Sequence, residues 1–166
     1  KSLFWLLARL SLSVEQANIL FNTEYRQKAK MCCSDREIIE NPYLLYERTR
    51  TCADEFKVAV RKVDMAVFPP KELRDTHPIS APSALDSEND ERRIRAIAIS
   101  ALEQQTLNGH TVYTQSKLII DINELPIEPG CHVSIDIFTS IKEFLSHEII
   151  SVECVDKTAA YQLRRL

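Results

Sequence analysis

The sequence predicts a mainly α-helical protein, in which a helical bundle is followed by an α/β unit with a small antiparallel sheet. Three observations lead to this prediction. Only two of the 166 residues are glycine, which favours helices over glycine-rich loops. Capping-box patterns, which mark helix starts, recur in the first half of the chain. β-branched and alternating segments occur in the second half, where they predict short strands.

Helix-start signals divide residues 1–68 into several short helices, which we expect to form one domain. Ser13 and Gln16 form a capping box, with the Ser13 hydroxyl placed to accept a hydrogen bond from the Gln16 amide. Ser34 opens a second box, whose helix should stop at Asn41, and Asn41-Pro42 reads as the start of the next helix. A further start is expected at 51–54. Its apolar stripe would comprise Ala53, Phe56, Val60 and Val63.

Residues 69–90 differ in composition from the segments on either side. Pro69, Pro70, Pro78 and Pro82 lie among Ser, Thr and Asp without helical or strand periodicity. Such a stretch is typical of a linker or a long surface loop. We therefore expect the domain boundary here.

Residues 91–166 predict a second domain with a defined order of elements. Asp90 should cap a long helix, and Gly109 is suited to the left-handed position that ends it. The expected elements after it are a strand at 111–114, a helix at 115–124, a helix at 134–146 and strands at 148–154 and 158–163, joined by a turn at 155–157. The order helix, strand, helix, helix, strand, strand is that of a winged helix, so we predict a winged-helix-like unit.

Composition and charge exclude several classes of function. The net charge is -3, which argues against a strongly basic nucleic-acid binder. The charge is uneven, since residues 1–76 carry 13 Lys and Arg against 11 Asp and Glu, whereas residues 77–166 carry 8 against 13. The five cysteines form no CxxC pair, which favours reduced thiols in the cytoplasm over a zinc site or disulfides. No apolar stretch is long enough to cross a membrane.

The sequence contains none of the common catalytic motifs. The phosphate-binding loop G-x-x-x-x-G-K-[ST] is absent, as are H-E-x-x-H and G-x-S-x-G. The four histidines are scattered, and the adjacent Cys131 and His132 should point to opposite faces of an extended backbone. We therefore expect no enzyme activity, no metal and no cofactor in this chain.

Several ordered motifs resemble one protein family. They are Glu40-Asn41-Pro42-Tyr43, Cys52-Ala53-Asp54, Arg92-Arg93-Ile94-Arg95-Ala96, Gly109-His110-Thr111-Val112-Tyr113 and Ala159-Ala160-Tyr161-Gln162-Leu163. In this order they are similar to the helix-hairpin-helix and winged-helix region of RecD-like superfamily 1 DNA helicases, over most of the chain from about Leu10. The chain departs from that family at Ser11, where glycine is usual, and in the shortened turn at 49–51, which lacks glycine.

The resemblance implies a non-catalytic, DNA-handling accessory region of an ATP-dependent 5′-to-3′ DNA helicase. The region would bind single-stranded DNA or a junction weakly, through the backbone and without sequence specificity, and pass it to a motor domain beyond Leu166 that uses ATP and magnesium. In such a region, turns before helices and nearby arginines contact phosphates. The expected DNA-binding residues are Ser11, Ser13, Gln16, Arg48, Arg50, Thr51, Arg92 and Arg93. The alternative is a protein-interaction module that docks the motor or a partner subunit without touching DNA.

Overall fold

A computed structural model of the protein describes residues 2–110, 112–146, 150–155 and 158–164. The described chain is mainly helical with a small antiparallel sheet. It divides into two compact units, Lys1–Asp86 and Ser87–Leu166.

All regular secondary structure in the described residues of the first unit is helical. Its α-helices are α1 (Ser2–Leu7), α2 (Val14–Phe21), α3 (Thr23–Lys28), α4 (Asp35–Glu40), α5 (Leu44–Thr49), α6 (Val60–Val67) and α7 (Lys71–Thr76), with a 3-10 turn at Asp54–Phe56. Apolar side chains from these helices form the core, among them Leu7, Leu20, Ile38, Leu45 and Val63, each less than 2% exposed.

Two of the helix starts predicted in this unit are confirmed. The Ser13 hydroxyl accepts from the Gln16 amide at 3.2 Å, and the Gln16 side chain accepts from the Ser13 amide at 3.0 Å. Ser34 makes the same reciprocal pair with Glu37 at the start of α4. These boxes form because each side chain satisfies amides that the first turn of a helix leaves without partners.

The other two starts differ from the prediction. The Asn41 side chain accepts from the Tyr43 amide at 3.1 Å, so Asn41 makes a turn and α5 begins only at Leu44. We predicted a continuous helix that starts at 51–54, and this prediction was wrong. A 3-10 turn and an extended segment precede α6. The reason is tertiary: the buried Thr49 hydroxyl accepts from the Val58 amide at 2.9 Å, which holds Val58 in the core in a non-helical conformation.

The stretch 69–90 contains a helix and packs against the first unit, which differs from the linker or surface loop that we expected. Helix α7 occupies Lys71–Thr76. The buried Ser83 hydroxyl donates to the Ile39 carbonyl at 2.7 Å, and Arg9 donates to the His77 carbonyl at 2.9 Å. These long-range hydrogen bonds fix the proline-rich chain onto α1 and α4, and the two units divide after Asp86.

The second unit begins with α8 (Glu91–Leu107), the long helix that Asp90 was predicted to cap. The Asp90 side chain accepts from the Arg92 amide at 3.0 Å, and Gly109 follows the helix with a φ of +88°. Both features are confirmed. The remaining helices are α9 (Gln115–Glu124), α10 (Ile135–Ser140) and α11 (Lys142–Leu145). The single helix expected at 134–146 is therefore broken at Ile141, whose φ and ψ of -97° and 10° leave the helical region.

Three described strands form an antiparallel sheet in the second unit. They are β1 (Tyr113–Thr114), β2 (Ile150–Val155) and β3 (Thr158–Leu163), in the spatial order β1-β3-β2. Tyr161 pairs with Tyr113 on one side and with Val152 on the other. Helices α8 and α9 pack against β3, and the Phe138 and Tyr161 rings meet edge to face at 5.3 Å. Residues 111, 148–149 and 156–157, which the sequence assigned to strand ends and a turn, lie outside the described residues.

Candidate nucleic-acid interface

The first predicted contact is the turn that precedes α2, where Ser11 and Ser13 are exposed and Gln16 is buried. The capping box already uses the Ser13 hydroxyl and the side-chain oxygen of Gln16. Gln16 is therefore mainly a structural residue, and only the two serines present polar groups to solvent at this turn.

Gln16 also joins this turn to a segment that is distant in sequence. Its Nε2 donates to the Lys57 carbonyl at 2.6 Å, and its Oε1 accepts from Lys62 Nζ at 3.3 Å. The junction places the 57–62 segment, which includes the exposed Lys57 and Arg61, beside the start of α2. We call Lys57, Arg61 and Lys62 the basic segment. The sequence analysis did not single it out, although three cations within six residues were a readable signal.

Carboxylates offset part of this positive charge. Lys57 Nζ lies 2.7 Å from Asp54 Oδ1, and this contact lowers the pKa of the Asp54 carboxyl. The pKa of Glu15 is also lowered, chiefly because its carboxylate accepts from its own amide and secondarily because of the Ser13 hydroxyl. A carboxylate at the start of α2 occupies the position that would favour a phosphate. Any nucleic-acid contact at this turn must therefore be weak.

The second predicted contact comprises Arg48, Arg50 and Thr51, at the end of α5. Thr51 is exposed, whereas both arginines are partly buried. Arg48 lies close enough to α4 to act on its carboxylates: the pKa of Glu37 is lowered first by the Ser34 amide, then by the Ser34 hydroxyl, and also by the Arg48 charge. Arg48 thus acts partly within the fold.

Cys33 lies near Arg48 and Arg26. Burial raises the pKa of the Cys33 thiol to about 11, and the charges of Arg26 and Arg48 oppose that shift only in part. Arg26 also donates to the Cys33 carbonyl at 3.1 Å and pairs with Asp35. A thiol with a raised pKa carries little thiolate at neutral pH, so this cluster lacks the activated sulfur of a nucleophilic or redox site.

In the third predicted contact, Arg93 is buried in the second unit and Arg92 is partly exposed. Arg92 makes two hydrogen bonds to the Asp90 carboxylate, at 2.9 and 2.8 Å. Arg93 is fully buried and donates to the carbonyls of Glu88, Pro129 and Gly130. Arg95, nearby on α8, is 9% exposed and stacks over the Phe144 ring at 4.3 Å. Arg93 thus holds the chain at 88 and 129–130 against α8 and presents no charge to solvent.

A group of exposed aromatic residues on α1 and α2 was also missed by the sequence analysis. Phe4, Trp5 and Phe21 are 56%, 69% and 48% exposed, and the Phe4 ring lies 5.8 Å from Trp5 and 6.0 Å from Phe21. We call these three residues the aromatic cluster. An apolar group of this size on a surface is typical of a contact site.

Among the described residues, no group of three or more His, Cys, Asp or Glu side chains is placed to hold a metal ion. Within the same residues, no helix combines the length and the apolar character needed to cross a membrane. Comparisons of the chain with protein-family models, with curated proteins and with solved structures gave no match.

Proposed function

We propose that the chain is a non-catalytic DNA-handling region of an ATP-dependent 5′-to-3′ helicase of the RecD-like type, acting in the cytoplasm. It would contact the DNA backbone weakly and without sequence specificity, and position the strand for a motor domain that carries ATP and magnesium. The observation that carries this proposal is the Gln16 junction, which sets the basic segment beside the turn before α2. A capped turn flanked by cations suits a phosphate backbone contact.

The first unit supports this proposal through its arrangement of short helices joined by tight turns. We propose that α1, α2 and the turn between them form a helix-hairpin-helix-like element. Since the capping box already uses the Ser13 and Gln16 amides and Glu15 adds negative charge, the proposed DNA contact rests mainly on the charges of Lys57, Arg61 and Lys62. Binding should be weak and sensitive to salt, because these charges would attract the DNA phosphates at a distance without forming hydrogen bonds to them.

The second unit supports a positioning role. Its element order and its sheet order β1-β3-β2 are compatible with a winged helix, and we propose that fold for it. A groove-reading helix presents basic and amide side chains. Helix α10 instead presents Ile135, Asp136 and Thr139 to solvent. This unit would therefore support the strand path or the motor and read no sequence.

Fluorescence anisotropy with labelled single-stranded and duplex DNA tests the proposal. We expect weak binding that falls as salt rises. For single strands, the slope of log affinity against log salt is about 0.7 per phosphate neutralised. The triple variant K57Q/R61Q/K62Q should therefore lower the slope by up to about 2. Glu15→Gln should act in the opposite direction and strengthen binding, because it removes a carboxylate from the same turn.

A matched control separates the location of the charge from its amount. K28Q/K30Q/R36Q removes three exposed cations from the same unit outside the basic segment. This control should keep most of the salt dependence. If the two triple variants lose equal amounts of salt dependence, the attraction of DNA is non-specific and is not located in the basic segment. If the wild-type chain binds neither single-stranded nor duplex DNA at low salt, the proposal is rejected.

The second candidate is a protein-interaction module, and the aromatic cluster favours it. Exposed aromatic side chains are enriched where proteins bind one another. In this case the chain would dock the motor or a partner subunit through α1 and α2. Trp5→Ala would then abolish that association in a pull-down with the parent motor domain and leave DNA binding unchanged. If the chain is a DNA-handling region, its affinity for DNA should instead fall only when the basic segment is replaced.

A further inference from the structure

A cavity of about 320 Å³ lies in the first unit, beside α7 and the loop that follows it. One part of its wall is apolar and includes Val67, Phe68, Pro69, Ile79 and Leu85. The volume is at the lower end of the range for small-molecule sites, which is about 300 to 1,000 Å³. It is large enough for a ligand of mononucleotide size.

The charged side chains that line this cavity are mostly cations. Arg9, Lys71 and Arg74 face a single lining carboxylate, that of Asp75, which lies at hydrogen-bond distance from Lys71 Nζ. Three positive charges against one negative charge leave an excess of two. Arg9 is held in place because it donates to the carbonyls of Ala66 and His77, both at 2.9 Å. The cavity therefore favours an anion over a neutral or cationic ligand.

Arg74 supplies the observation that points to a ligand. Its guanidinium lies over the buried Phe68 ring, with Cζ 4.0 Å from the ring centre, so the group is oriented before anything binds. Its Nε is buried from solvent, but the side chain as a whole is partly exposed and lines the cavity. A charged, oriented guanidinium in the wall of a cavity favours an anionic oxygen as its partner.

We propose that this cavity binds a phosphate monoester. Phosphate oxygens would accept from the Arg74 guanidinium, with Arg9 and Lys71 adding positive charge, while the organic part of the ligand would pack on the apolar wall. A planar guanidinium matches the geometry of phosphate oxygens. The phosphate would belong either to a free nucleotide or to the end of a nucleic-acid strand. This site is independent of the proposed DNA contact, which uses the basic segment.

Isothermal titration calorimetry of the 166-residue chain tests the site with three probes: inorganic phosphate, thymidine 5′-monophosphate and thymidine. Phosphate and the monophosphate should bind, and the uncharged nucleoside should not. Binding of the nucleoside as tight as that of the monophosphate would overturn the proposal, because the cations would then contribute nothing. Absence of heat with phosphate and with the monophosphate would also overturn it.

Two short oligonucleotides, one with a 5′-phosphate and one with a 5′-hydroxyl, then separate the two sources. A preference for the 5′-phosphate assigns the site to strand ends. Binding of the monophosphate without any preference between the oligonucleotides assigns it to free nucleotides. Both outcomes support a phosphate monoester as the ligand.

Variants locate the binding in the cavity. Arg74→Gln should weaken monophosphate binding by about tenfold or more, which is the usual effect of losing a charge-assisted hydrogen bond. Asp75→Asn should strengthen it, since it removes the only lining carboxylate among the described residues. Arg36→Gln is the control, because Arg36 is an exposed arginine paired with Glu40 and does not line this cavity. Unchanged affinity in a folded Arg74→Gln protein would overturn the assignment, and Arg74→Lys provides a second test if the first variant fails to fold.

Discussion

Replacing Arg93 by methionine should destabilise the second unit, because three backbone carbonyls lose their donor at once. These are the carbonyls of Glu88, Pro129 and Gly130, and the Arg93 side chain that binds them is fully buried. Leaving a buried acceptor without a partner costs about 1 to 3 kcal/mol, and the lower end applies here because Glu88, Pro129 and Gly130 are only partly buried. Methionine fills much of the same volume as arginine. At about 1 kcal/mol for each carbonyl, the expected loss is about 3 kcal/mol, a large part of the stability of a small domain.

Urea unfolding combined with hydrogen exchange measures this loss. Exchange of the α8 amides reports on the second unit alone, and circular dichroism reports on all helices together. Arg93→Lys keeps the charge but cannot reproduce the planar fork of donors, so its loss should be intermediate. Arg36→Met is the control, because Arg36 is 86% exposed and its pair with Glu40 contributes about 0.5 kcal/mol or less.

The result that would refute this reasoning is a loss below about 1 kcal/mol in Arg93→Met, since the three carbonyls would then be satisfied without the arginine. A loss confined to the amides of the first unit would refute it equally. DNA affinity at temperatures where the variant is folded should not change, because the buried side chain presents no charge to a ligand.

Two further predictions concern helix ends. Glu37 has a pKa below its usual 4.5, chiefly because of the Ser34 amide, so its stabilising contribution is complete above that value and is lost as the pH falls through the lower, folded pKa. Glu37→Gln should therefore flatten the fall of the thermal midpoint on acidification, and an unchanged pH profile would contradict this. Gly109→Ala should cost about 1 kcal/mol in urea unfolding, because φ is +88° while the space around the Cα is open; Gly109→Asn should cost less.

Local signals in the sequence predicted the structure well where neighbouring residues alone decide the outcome. The boxes at Ser13 and Ser34, the Asp90 cap and the left-handed Gly109 all depend on contacts within a few residues. A capping pattern fixes its own amides, whatever the rest of the chain does. These features were therefore readable without knowledge of the tertiary fold.

The same local signals gave wrong predictions where a hydrogen bond from outside the local pattern determines the backbone conformation. The pattern at 51–54 resembles a helix start, but the Thr49 hydroxyl holds Val58 in an extended segment and delays α6 until Val60. The proline-rich stretch 69–90 lacks periodicity, yet two hydrogen bonds attach it to the rest of the first unit. Ser83 donates to the Ile39 carbonyl and Arg9 donates to the His77 carbonyl, and each bond joins residues more than 40 positions apart. Such hydrogen bonds leave no trace in a local pattern.

The candidate site shows why charged residues are harder to assign than caps. Arg92 and Arg93 look alike in sequence, but one pairs with Asp90 and the other binds three carbonyls. The number of cations in a segment predicts attraction at a distance, whereas short-range binding depends on which donors the fold has left over. Only the structure reveals that second quantity.

The two proposed contacts should respond differently to salt. At the turn before α2 the donors of Gln16 are already bound, so the basic segment can attract DNA only through its charge, and added salt should remove that attraction. In the cavity of the first unit, the partly buried Arg74 guanidinium is held over the Phe68 ring, so a phosphate there would gain a charge-assisted, partly desolvated hydrogen bond. Binding of the monophosphate should therefore persist at salt concentrations that abolish DNA binding, and each proposal can fail without the other.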